Sequence, residues 1–89
     1  MAVPGPIAVH LELAEEFLNV EALGPYSSAL WRATNGAVEC GLISRQGEPL
    51  SEDGQTANCV IRELCRKGGE LFFGWTPEFI RRLEQNARY

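Results

Sequence analysis

The dipeptide Asn35-Gly36, set between SALWRAT and AVECGLI, limits the folds open to this chain more than any other feature. A two-residue type I′ hairpin turn needs positive φ at both central positions, and Asn-Gly tolerates that best. Pairing Thr34 with Ala37 puts Ala33 opposite Val38, Arg32 opposite Glu39, Trp31 opposite Cys40 and Ala29 opposite Leu42. One face of the hairpin is then Ala29, Trp31, Ala33, Val38, Cys40 and Leu42, all apolar, and the other carries an Arg32–Glu39 ion pair. A competing reading starts a helix at Pro25 and ends it at Gly36. The hairpin meets more constraints at once and is preferred.

Around it the chain alternates between helical and extended patterns. Ile7, Val9, Leu11 and Leu13 alternate as a strand would, but Leu13, Ala14, Phe17, Leu18 and Val20 fall at helical spacing. A helix is therefore expected from about His10 to Leu23, ended by Gly24-Pro25. Gln46-Gly47 and Glu48-Pro49 mark a turn, and Asp53 in the polar loop Ser51–Gly54 is the expected N-cap of a helix from about Gln55 to Lys67. Ala57, Val60, Ile61 and Leu64 form the stripe of that helix, and Gly68-Gly69 should stop it. ELFFGW (Glu70–Trp75) reads as a strand. Thr76-Pro77-Glu78 opens a last helix whose stripe is Phe79, Ile80, Leu83 and Ala87.

The expected order is helix, strand, strand, helix, strand, helix. That is an α+β domain with a small, mainly antiparallel three-stranded sheet and helices packed on one face. With 89 residues, 45% of them hydrophobic, there is room for one small domain, taken as residues 7–89 behind a flexible arm of residues 1–6. Helices from so short a chain cover one sheet face poorly. Leu30, Ala37, Ile43 and Phe72 fall on the other face and are expected to meet a partner or a second copy.

Charge narrows the functions further. The net charge is −4, and the acids gather early: up to Asp53 they outnumber the bases eight to two, and beyond it six bases face four acids. An acidic chain is poorly suited to non-specific nucleic-acid binding, which needs a basic surface. The alternative of a nucleic-acid-binding domain would use Arg62, Arg66, Lys67, Arg81, Arg82 and Arg88. No apolar run is long enough for a membrane span, so no membrane association is expected. The absence of a basic and apolar leader at Met1–Pro6, together with three cysteines of unpaired spacing, makes a cytoplasmic location the expectation.

No pattern specifies a reaction. His10, Cys40, Cys59 and Cys65 lack the close-spaced pairs of a zinc site, so neither metal nor cofactor is expected. Cys59 lies early in its helix near Arg62 and Arg66, which favours thiolate, but no base accompanies it and a thiol enzyme ranks last. Cys40 and Cys65 read as small core residues. The remaining feature is an acidic stripe, Glu12, Glu15 and Glu16 with Asn19, on one side of the first helix. It is expected to dock on a basic patch of another protein. The reading is a small non-enzymatic binding module, a regulator or inhibitor of the antitoxin, immunity or phage-type (anti-CRISPR) class, with a homodimer as one form it could take. Its partner-binding residues would be Glu12, Glu15, Glu16, Asn19, Leu30, Ile43 and Phe72.

Overall fold

Helix α1 (Gly5–Asn19) begins where prolines are tolerated, since the first helical N–H groups have no intrahelical acceptor. In the computed structural model, which describes residues 3–86 and the side chains of all of these but 77, 80, 83, 84 and 86, the Ala8 N–H donates to the Pro4 carbonyl at 3.0 Å. The helix buries Ile7, Leu11, Ala14 and Leu18 along one stripe. It thus starts and ends earlier than the spacing predicts. Of the expected arm, Met1 and Ala2 lie outside the described residues, while Val3 is buried and Gly5 and Pro6 form the first turn of α1.

Val20, Glu21 and Ala22 turn the chain back. Glu21 takes a left-handed conformation, φ 58°, and the Ala22 N–H reaches the Phe17 carbonyl at 2.9 Å. Helix α2 (Leu23–Glu39) then returns along α1 and buries Tyr26, Ala29, Ala33 and Ala37. Three alanines four residues apart leave a smooth seam, and at Gly36 an added Cβ would stand 3.2 Å from Ile7 Cγ1. The two helices therefore approach closely.

The connection to the next helix is folded in on itself. The Ser44 N–H donates to the Glu48 carbonyl at 2.8 Å, and the Leu50 N–H to the Leu42 carbonyl at 2.8 Å. Leu42 and Ile43 point inward from this loop and close the core. Helix α3 (Glu52–Phe73) is capped by Ser51, whose Oγ accepts from the Gly54 N–H at 3.0 Å, with Glu52 and Asp53 at the positive end of the dipole. It buries Gly54, Ala57, Ile61, Leu64, Gly68 and Gly69. Gly74 ends it in a left-handed conformation at φ 65°, and the Gly74 N–H and the Trp75 N–H, the latter at 3.0 Å, both donate to the Gly69 carbonyl. Helix α4 (Pro77–Asn86) starts as expected from Thr76, whose Oγ1 accepts from the Phe79 N–H at 3.1 Å. Among the described residues α4 packs on α3 alone.

The α+β expectation is overturned. Among the described residues the chain is all helical, and its only β feature is an isolated bridge between Ile43 and Pro49. Most of the hairpin segment lies in α2, with Asn35-Gly36 within its last two turns and Cys40–Ile43 in the connection beyond it. The reason is arithmetic: Ala29 and Ala33 share a hairpin face and also stand four residues apart, so they serve either structure, whereas Ala37, on the hairpin's other face, joins them only at helical spacing. Packing against α1 decides for the helix. The third strand is the last turn of α3, and Gly68-Gly69 do not stop that helix because aromatic rings lie on them. Further corrections follow. Ser51, not Asp53, is the cap; Cys40 and Cys65 are exposed instead of core; Ile43, 2% exposed, is core instead of surface. Ala37 is likewise buried. Trp31, placed on an inner face by the hairpin register, is 67% exposed. Ala87 and Arg88 lie outside the described residues.

Candidate functional site

On α1 the buried stripe dictates what faces outward. Glu12, Glu15, Glu16 and Asn19 stand at i, i+3, i+4 and i+7, and all four are exposed. Val9 and Val20, 52% and 71% exposed, lie near the two ends of this face. Among the described residues no ion pair reaches Glu12, Glu15 or Glu16, whereas α3 and α4 carry the pairs Arg66–Glu63, Arg66–Glu70 and Arg82–Glu78. Like charges four residues apart repel by a few tenths of a kcal/mol. The stripe is thus a band of uncompensated negative charge.

Where α1 ends, it opens onto α3. Leu18, Asn19 and Glu21 on one side and Lys67, Glu70 and Leu71 on the other line a groove of about 480 Å³. The α3 wall is braced by Arg66, whose Nη1 donates to Glu70 Oε1 at 2.9 Å and whose Nε donates to Glu63 Oε2 at 3.3 Å. The hydrogen bond from Arg66, aided by the charges of Arg66 and Lys67, holds the Glu63 carboxyl below its usual range, and Glu63 in turn raises Arg66. Glu21 and Lys67 enter no ion pair among the described residues.

The other expected partner-binding residues are not brought together with the stripe. Leu30 and Phe72 are half-buried and pack on the core, Phe72 with its ring 5.3 Å from that of Tyr26. With Ile43 buried, the shared sheet face that grouped these three does not exist. Among the basic residues, Arg66 is engaged by Glu63 and Glu70 and Arg82 by Glu78 at 3.5 Å. Cys59 is exposed, and among the described residues there is no group of three side chains able to hold a metal ion. No described helix is long and apolar enough to cross a membrane.

Sequence reasoning missed two features. One is the groove, whose walls lie almost fifty residues apart in sequence; the acid-rich end of α1 was its only visible signal. The other is a chain of rings at the α3–α4 junction. Phe73 stacks on Trp75 with centroids 5.1 Å apart, and Trp75 meets Phe79 at 5.3 Å. Phe73 is 57% exposed. No protein-family model, curated protein or solved structure matches the chain.

Proposed function

We propose that this chain is a non-enzymatic protein-binding module that regulates or inhibits a macromolecular partner through a basic surface on that partner. The observation that carries this reading is the acidic face of α1, three exposed carboxylates within two helical turns with no cation of the chain paired to them among the described residues. A complementary basic patch relieves their repulsion and steers encounter, chiefly through the association rate. An antitoxin, immunity or phage-type inhibitor is the finer form of this reading, supported by the net negative charge. A nucleic-acid ligand is less well served, because Arg66 and Arg82 are already held by carboxylates.

The test begins with capture of the partner on the immobilised chain from cells that express it. Association with that partner should slow several-fold between low and physiological salt. The double variant Glu12→Lys, Glu16→Lys should slow it by a similar factor while the circular-dichroism melt stays in place. A rate indifferent to both changes rejects the acidic face as the docking surface.

A further inference from the structure

The groove at the end of the acidic face carries a more specific reading, which rests on the protein-binding function proposed above. We infer that it is an anchor site for a guanidinium side chain, an arginine that the partner presents between Glu21 of the α1–α2 turn and Glu70 of α3.

Three observations converge there. First, about 480 Å³ is within the range of small-ligand sites and more than one side chain fills. Second, the lining suits a long cation. Leu18 and Leu71 offer apolar wall for an aliphatic stem, and carboxylates stand on both sides for the head. Arg66 fixes Glu70 through one oxygen, Oε1, and leaves Oε2 to accept. Glu21 has both oxygens available. A guanidinium presents five donors in a plane and can bond two carboxylates together; an ammonium acts as a point charge.

The third observation is the backbone. Glu21 is the one non-glycine among the described residues with positive φ, 58°. Glycine or asparagine would hold that helix-ending conformation with less strain. Strained positions of this kind cluster at functional sites. Here that conformation falls at a residue whose carboxylate lines the groove. Lys67 is the opposing element, a like charge at the site. Its flexible stem lies one helical turn from Glu63, whose carboxylate already senses it, and can turn there when a cation enters.

The full-length chain is titrated with N-acetyl-arginine amide while backbone amide shifts are followed by NMR. Saturable shifts confined to residues 18–21 and 67–71 are expected, with a dissociation constant on the order of millimolar for so small a probe. N-acetyl-lysine amide should bind more weakly and N-acetyl-norleucine amide should not saturate. Glu21→Gln should weaken arginine binding about threefold, and Lys67→Met should strengthen it, with both melts unchanged. Shifts spread along Glu12–Glu16, tighter binding of N-acetyl-glutamate amide, or weaker binding by Lys67→Met would each overturn the site. The proposed function fails separately, since it is read from the Glu12 and Glu16 reversals and salt. If the groove binds arginine but the partner ignores Glu21→Gln, the assignment of that arginine to the partner is wrong.

Discussion

Small residues serve opposite purposes in the two halves of the molecule. Between α1 and α2 they let two helices approach: Ala29, Ala33 and Ala37 are buried, and a Cβ on Gly36 would meet only the side chain of Ile7, at 3.2 Å. On α3 the glycines receive a loop carbonyl and two aromatic side chains. A Cβ on Gly54 would stand 1.8 Å from the Leu42 carbonyl oxygen, one on Gly68 2.1 Å from Tyr26 Oη, and one on Gly69 2.5 Å from the Trp75 ring. The alanine seam can adjust by a rotamer change, whereas the Leu42 carbonyl is backbone and already accepts the Leu50 N–H. Tolerance to added volume should therefore differ sharply between the halves.

The largest effect is expected at Gly54. Gly54→Ala drives a methyl into a backbone carbonyl that cannot move without dismantling the loop, and should cost about 3 kcal/mol or more in urea unfolding. A loss below 1 kcal/mol would place the loop elsewhere.

The intermediate case is the hydroxyl that lies over Gly68. Tyr26 Oη donates to the Leu64 carbonyl at 2.5 Å, and burial, with a smaller contribution from Cys65, pushes its pKa up to about 12. Tyr26→Phe should cost about 1 kcal/mol at neutral pH. The proton is held more tightly folded than unfolded, so this contribution is present below pH 10 and is lost as pH rises from 10 through 12. Stability of the native chain should thus fall more steeply over that window than stability of Tyr26→Phe. Parallel pH curves would mean the hydroxyl is not buried against α3.

The smallest effect has the opposite sign. Gly36→Ala gains up to about 1 kcal/mol of helix propensity, reduced by the adjustment that Ile7 must make, and should raise the melting temperature slightly. At a type I′ turn the same change would force alanine to positive φ and lower it. This one substitution separates the helical α2 from the hairpin.

That ambiguity shows what was legible in the chain. The stripe Ala57, Val60, Ile61 and Leu64 was readable because it combines helical spacing with good helix formers, and Thr76-Pro77-Glu78 was readable as a local start signal. ELFFGW was not. Six residues of mostly apolar chain have no period, and whether they extend a helix depends on Tyr26 and Trp75 seating on glycines from outside it. The acidic face could be read from spacing alone, since charge faces water on an amphipathic helix. Its continuation into the groove could not, because Lys67, Glu70 and Leu71 reach it only through the packing of α3 on α1.

The stop at Gly74 has a consequence in time. Helix α4 packs, among the described residues, on α3 alone, and Trp75 at their junction is seated on Gly69, stacked on Phe73 and tilted against Phe79. Among the described residues, α4 can part from α3 at this junction without disturbing the alanine seam. Its amides should then exchange with solvent deuterium through a local opening of low free energy, while those of α1 and α2 wait for global unfolding. Two clocks run in a chain of 89 residues, and the junction around Trp75 belongs to the faster one.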